Sequence, residues 1–441
     1  MSDFFDISLG LKQGEPLSPI LFILFINDIN DCLDLHNLTE YDLNYLSMFM
    51  LLFADDIALF TTDPTSLQNQ LDAVASYSNK WGLKINVNKT KICIFEKRKS
   101  KHNFVWKIND EIVEVVDKFK YLGVTFSYNG SMKHAVDVLN QQALRAFNHL
   151  LSLFYRVKID VKTKLTMFDT LVVPILLYCS DVWGVYNHKD IDKLHLKYCK
   201  NILGVRPQTP NIAVYGELGR FPLSVICKER TLKFWLKIMH NQDSPLYKVF
   251  IDQCVSNEPN CWALTVKKLL CDLGFSNIWS NFDPNVNYLP MLCQRLKDQY
   301  VHNWGASLEN SPKLEYYRKY KTYFCQEDYL NSIVNDNLRV QLCRFRTSSH
   351  MLDIEMGRFA SVARDCRICK VCSLNQIESE YHFLLCCPMY RCLRTKYFGN
   401  VHWPSLQKFV SIMSCKTKSH MLKLSMFIKD AFKKPQDALN S

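Results

Sequence analysis

Two strongly apolar runs, Met48-Phe49-Met50-Leu51-Leu52-Phe53 and Ile57-Ala58-Leu59-Phe60, are separated only by Ala54-Asp55-Asp56. Runs this short, bounded by polar residues, read as two buried strands joined by a tight turn. The chain must therefore place two adjacent carboxylates at the tip of an apolar hairpin. Like charges repel, and burial opposes ionisation, so such a tip needs either a compensating cation or open water. A divalent metal supplies the first: hard oxygens at Asp55 and Asp56 suit Mg²⁺, which binds through one or two carboxylates and keeps waters and substrate phosphates in its remaining positions. A solvent-exposed turn supplies the second, because Asp is a common turn residue, and the local pattern fits both equally.

The surroundings of the hairpin mix helix and strand signals. Gly10 to Pro19 is a turn-rich loop, and Ser18-Pro19 reads as a helix start, with Ser18 as N-cap and Pro19 at the first helical position. Leu21, Phe22, Phe25, Ile26, Ile29 and Leu33 then recur at helical steps, predicting an apolar stripe about four turns long. Asp63-Pro64 opens a second helix carrying Leu67, Leu71, Val74, Tyr77 and Trp81 on one face and stopping at Gly82. Strands are predicted at Lys84 to Val87 and Lys91 to Phe95, around Asn88-Lys89-Thr90, with further hairpin-like segments up to Phe126. Lysines on such a polar strand edge, Lys89 and Lys91 among them, are ordinarily solvated.

From about Lys133 the apolar period becomes helical, as in Ala135, Leu139, Ala143, Ala146 and Leu150. Only 13 glycines in 441 residues, about 3% against a usual ~7%, fit this helix-rich character. We divide the chain into a mixed α and β region at 1–130, helical regions at 131–240 and 241–363, a cysteine-rich module at 364–398 and a basic C-terminal helix at 399–441. In that last helix Leu424, Phe427, Ile428 and Ala431 share one side, with Lys423, Lys429, Lys433 and Lys434 elsewhere, as in an ordinary amphipathic surface helix. No stretch reaches the ~18 uninterrupted apolar residues of a membrane span, so no membrane partner is expected. Residues 1–6 lack the basic head and apolar run of a targeting peptide, so the 18 cysteines are expected in a reducing, cytoplasmic and/or nuclear setting. A net charge of +11 is compatible with a polyanion partner without demanding one.

The cysteine-rich module offers Cys369 and Cys372 at two-residue spacing, then His382 and Cys387, four soft ligands suited to a tetrahedral Zn²⁺. With all four positions filled by protein, such a zinc would be structural. Cys366 forms an equivalent pair with Cys369, and Cys386 adjoins Cys387, so spacing alone leaves one member of the set open. Reduced cysteines packed as small hydrophobes are the alternative, and that reading is expected at Cys93, Cys179, Cys199, Cys227, Cys254, Cys261, Cys271, Cys293, Cys325 and Cys343. Trp183 is expected in the core.

Four segments in order, Gly10-Leu11-Lys12-Gln13-Gly14-Glu15-Pro16-Leu17-Ser18-Pro19, Leu52 to Leu59, Trp81 to Lys91 and Phe119-Lys120-Tyr121-Leu122-Gly123-Val124, resemble successive motifs of reverse transcriptases from non-long-terminal-repeat retrotransposons of the jockey type. Leu176 to Gly184 and Tyr215 to Arg220 resemble the thumb region of such elements, and Ile377 to Tyr390 resembles their carboxy-terminal zinc knuckle. The resemblance implies an α+β fold: a partial right-hand polymerase palm, a mostly helical thumb-like region and a C-terminal zinc-knuckle module. It implies RNA-templated DNA synthesis by two-metal nucleotidyl transfer, with Mg²⁺ as cofactor, structural Zn²⁺, and RNA and DNA as partners.

Carried over residue by residue, the resemblance makes Asp55 a metal ligand with Asp56 beside it. Gln13, Gly14 and Phe53 would contact template and nucleotide, Lys89 the nucleotide phosphates, and Tyr121, Leu122 and Gly123 the primer. Cys369, Cys372, His382 and Cys387 would hold the zinc. The family's other metal-holding Asp lies on a strand well upstream of the Gln13-Gly14 loop, where this sequence has only Asp3 and Asp6, on the short strand leading into it. The expectation is a polymerase cut off at its amino end and catalytically incomplete. The alternative is a non-catalytic RNA- or DNA-binding protein that uses the thumb, the knuckle and the basic tail.

Overall fold

Asp63 accepts a hydrogen bond at 2.7 Å from the Ser66 amide, and Pro64 takes the first turn, so helix formation begins where sequence predicts. The computed structural model describes residues 15–34, 41–43, 45–186, 189–399 and 404–439. Expectations on Asp3, Asp6, Gln13 and Gly14 therefore lie outside the described residues. The chain divides into two compact units, Met1–Ala135 with Lys237–Thr265, and Val136–Leu236 with Val266–Ser441.

In the first unit the apolar run after the proline-rich loop forms two short helices, α1 (Ser18–Phe25) and α2 (Ile29–Asp34), where one four-turn helix was expected. Leu17 occupies the N-cap without a side-chain hydrogen bond, so Ser18 is the first helical residue and not the cap. No residue of α1 is buried, whereas Ile26 and Ile29 beyond it are. Strands β1 (Tyr41–Leu43) and β2 (Leu46–Met48) pair antiparallel, and β3 (Met50–Phe53) pairs with β4 (Asp56–Leu59) as the predicted acidic hairpin.

Helix α3 (Pro64–Lys80) organises this unit through two faces. Ala73, Val74 and Tyr77 pack with Ile29, Phe49, Met50 and Leu59. Leu71 and Ala75 pack with Ile92, Trp106, Ile108 and Val113, and Leu59 touches this cluster too. The base of the acidic hairpin is thereby seated on α3. A reciprocal pair, Gln68 Nε2 to Lys107 O at 2.9 Å and Lys107 N to Gln68 Oε1 at 3.0 Å, ties α3 to the segment Lys107–Ile108.

The predicted strand at Lys84 to Val87 makes no ladder. The stretch Lys91 to Phe95 reduces to β5 (Lys91–Ile92), which runs parallel to Glu114–Val115 with Lys91 Nζ 2.6 Å from Glu114. Lys107–Ile108 is β6, its antiparallel partner Glu111–Ile112 is β7, and Glu114–Val115 is β8; β9 (Lys118–Tyr121) and β10 (Val124–Ser127) close a last hairpin. The described strands pair two by two.

Helices dominate the described residues of the second unit. The expected core residue Trp183 is 1% exposed, and its indole donates to Tyr178 O at 2.8 Å. Glu217, in the Tyr215 to Arg220 segment, is buried against Arg346, and Glu327 completes the ion cluster. Cys199, Cys227 and Cys343 are buried as expected, but Cys271 and Cys325 are exposed. In the C-terminal helix Lys418–Leu439, Met421, Leu424, Ser425, Phe427, Ile428 and Ala431 are buried while Lys423 and Lys433 are exposed, the amphipathic arrangement expected. Its predicted apolar side is real, and the surrounding helices cover it. No described helix is long and apolar enough to cross a membrane.

Candidate metal centres

The β3–β4 register pairs Phe53 with Asp56, leaving Ala54 and Asp55 as a two-residue turn. Ala54 has φ 50°, a left-handed conformation that a Cβ-bearing residue adopts at a cost on the order of 1 kcal/mol. The turn thus holds Asp55 at the apex and Asp56 as the first residue of β4, and both side chains are exposed. The strands themselves are not buried as expected: Leu51, Leu52, Phe53 and Ile57 are exposed, Phe53 at 59%. An apolar ribbon seated on α3 by one face leaves its other face uncovered.

The second hairpin turn, Leu122-Gly123, has both residues at positive φ, 47° and 83°, a geometry that favours glycine at its second position. Tyr121, just before it, has its phenol pKa raised by burial and then by the negative charge of Asp56. The charge of Asp56 is therefore felt at Tyr121. Lys89 lies in a turn of its own, exposed, with its amide donating to Asn86 Oδ1 at 3.1 Å. Among the described residues, no third acid, histidine or cysteine joins Asp55 and Asp56 in a set that could share an ion. Two carboxylates in water suit Mg²⁺ held jointly with substrate phosphates, and do not by themselves make a closed cage.

The ligand atoms of Cys369, Cys372, His382 and Cys387 all lie within 4.8 Å of one another. Tetrahedral ligands on bonds of ~2.3 Å stand ~3.8 Å apart, so the set needs only a small contraction to close on Zn²⁺. Cys366 is exposed, Cys386 is half-buried, and both stay outside the group. The local backbone explains the selection. An antiparallel bridge between Ile368 and Ile377, with Cys369 N donating to Gln376 O at 2.9 Å, folds the first cysteine pair back on itself. His382 opens a π-helical turn, His382–Cys386, and the Cys387 amide closes it on His382 O at 2.8 Å.

His382 Nδ1 is 3.0 Å from Gln376 Oε1, which leaves Nε2, 3.4 Å from Cys372 Sγ, facing the other ligands. Its pKa is lowered by burial and then by the charge of Arg394, both of which favour the neutral ring. Burial pushes the Cys369 and Cys387 thiols up. A bound zinc reverses that, since a coordinating thiol is deprotonated. Neither Gln376 nor Arg394 was identified from sequence, because a supporting amide or guanidinium obeys no spacing rule.

Comparison with known proteins places these features in a family context. The profile for reverse transcriptase (RNA-dependent DNA polymerase) matches residues 2–126, so the chain carries a reverse transcriptase domain there. The chain is 24% identical over 205 residues to "RNA-directed DNA polymerase from mobile element jockey" of Drosophila melanogaster, covering 44% of this chain and 22% of that protein. It is 24% identical over 230 residues to "Probable RNA-directed DNA polymerase from transposon X-element" of Drosophila melanogaster, covering 48% of this chain and 24% of that protein. It is 26% identical over 226 residues to "Retrovirus-related Pol polyprotein from type-1 retrotransposable element R2" of Popillia japonica, covering 48% of this chain and 30% of that protein. The matches thus span under a third of each relative. They bear out the resemblance to non-long-terminal-repeat retrotransposon polymerases.

Proposed function

We propose that the reverse transcriptase domain at residues 2–126 is the acidic-hairpin part of a retrotransposon-type RNA-directed DNA polymerase palm, working on RNA and DNA. The observation that carries this reading is the pair Asp55 and Asp56 at a strained two-residue turn inside the matched stretch, with Tyr121 within reach of the Asp56 charge. Bound Mg²⁺ would supply activation of a primer hydroxyl and neutralisation of the leaving pyrophosphate. In this chain Asp55 would hold the metal and Asp56 would add negative charge beside it. Tyr121, Leu122 and Gly123 would face the primer end, and Phe53 the nucleotide. Lys89 would meet phosphate from its separate turn.

Two adjacent acids supply one side of a two-metal cage, and a carboxylate from a further strand is needed for the other. Among the described residues no such carboxylate joins Asp55 and Asp56, and on this reading they do not extend a primer by themselves. The Cys369, Cys372, His382 and Cys387 group serves as a structural zinc site in the helical unit. A role confined to nucleic-acid binding is less favoured, because the profile match falls on the polymerase stretch.

Mn²⁺ in place of Mg²⁺, added with a deoxynucleoside triphosphate, tests the reading by NMR. Broadening is expected first at residues 53–57, and Asp55→Asn should abolish it. No preferential broadening there would remove the metal role. Primer extension on an RNA template with Mg²⁺ tests the incompleteness: synthesis that disappears in Asp55→Ala would overturn it.

A further inference from the structure

The cysteine and histidine group carries an electrostatic imbalance once loaded. Zn²⁺ with three thiolates and a neutral imidazole has a net charge of −1. Glu378, whose Oε1 lies 3.8 Å from Cys369 Sγ, stands at the same edge and offers no positive charge to offset it. A buried uncompensated charge is unfavourable, so a loaded site of this kind calls for a cation held nearby.

Arg394, on the helix Arg391–Phe398 that follows the module, meets that need. Its side chain is 8% exposed, and Nη2 donates to Cys387 O at 2.6 Å. Nη1 is buried with no hydrogen-bond partner. A guanidinium beside a neutral Cys387 with a donor unused is poorly satisfied, whereas the same group beside a metal-bound thiolate has its charge matched.

We propose that Arg394 is a positioning residue for the zinc centre, supplying the positive charge that balances the metal thiolates and orienting Cys387 through its carbonyl. This rests on the reading of Cys369, Cys372, His382 and Cys387 as a zinc site. Outer groups of this kind commonly change metal affinity by 10–100-fold when removed. The role belongs to the fixed charge, and the hydrogen bond to Cys387 O is secondary.

Three variants of the full chain separate the two contributions. Arg394→Gln keeps a donor for Cys387 O without charge, Arg394→Lys keeps the charge, and Arg391→Met removes an exposed charge from the same helix. Zinc affinity is measured by competition with a chromophoric chelator, and the Co²⁺-loaded proteins are compared by the intensity of their thiolate-to-metal absorption. Arg394→Gln should lose about 10–100-fold in affinity, Arg394→Lys should recover most of it, and Arg391→Met should match the parent. If Arg394→Gln folds poorly, the Lys variant still decides: a loss of about tenfold or more in Arg394→Lys means the charge is not what matters. Equal affinity in Gln and parent proteins overturns the role of Arg394 while leaving the zinc reading intact. Failure of the parent protein to bind Zn²⁺ or Co²⁺ at all removes both.

Discussion

The guanidinium of Arg346 closes on the carboxylate of Glu217, with Nε and Nη2 each 3.0 Å from an oxygen and both side chains sealed from solvent. The same guanidinium meets Glu327 at 2.8 Å, donates to Met413 O at 2.8 Å and stacks on Tyr320, while Tyr329 donates to Glu217 at 2.5 Å. Four separate segments of the helical unit converge on this one ion pair.

Removing one partner leaves the other charged and buried, so Arg346→Met should cost about 3–5 kcal/mol. The urea midpoint of the helical unit measures it. A loss below about 1 kcal/mol would mean that water or a neighbouring group replaces the guanidinium freely.

Gly219 has φ 59°, and a Cβ built there would lie 2.3 Å from Gln326 N, beside the bridge between Leu218 and Gln326. Gly219→Ala combines left-handed backbone with a clash against main chain that cannot rotate away. The left-handed conformation alone is worth about 1–3 kcal/mol, and the clash adds to it. Gly82→Ala, with φ 66° and nothing within 4 Å, carries only the first term and should be the milder of the two in the same thermal melt.

His195 is fully buried, and burial followed by the charge of Arg220 lowers its pKa from 6.5 to about 3. Arg220 Nε donates to His195 Nε2 at 3.3 Å, so the proton of the neutral ring sits on Nδ1. Because the unfolded chain binds this proton more readily, the contribution is complete above about pH 6.5 and declines as pH falls toward 3. Stability of the parent protein between pH 7 and pH 5 should therefore drop more steeply than that of His195→Gln. Parallel curves would show that the ring is protonated in the folded state.

Chelation should act well beyond the four ligands. Phe383, inside the π-helical turn, packs with Phe345, Tyr390, Phe427 and Phe432, and Tyr397 donates to Asp430 at 2.5 Å. Metal removal is thus expected to speed amide exchange in the helices Arg391–Phe398 and Lys418–Leu439 while sparing α3. Unchanged exchange in both helices would argue that the module holds its shape without metal.

Local signals were legible wherever the deciding partners lie within a few residues. Asp63-Pro64 with Gly82 delimited α3, and two apolar runs around Ala54-Asp55-Asp56 determined a hairpin with its acids at the tip. Cys369, Cys372, His382 and Cys387 followed from ligand spacing, with the substitutes Cys366 and Cys386 unresolved. Tertiary structure decided the rest, because it depends on what covers a surface. It separated Cys387 from its neighbour by the turn that His382 opens, left Leu51 to Phe53 exposed on a two-stranded ribbon, and buried the apolar side of the C-terminal helix. It also brought Glu217 to Arg346 across 129 residues of chain and Arg394 to the carbonyl of Cys387. Periodicity and spacing act over a turn or two, whereas the pairing of buried charges is chosen by packing that only the complete fold brings about.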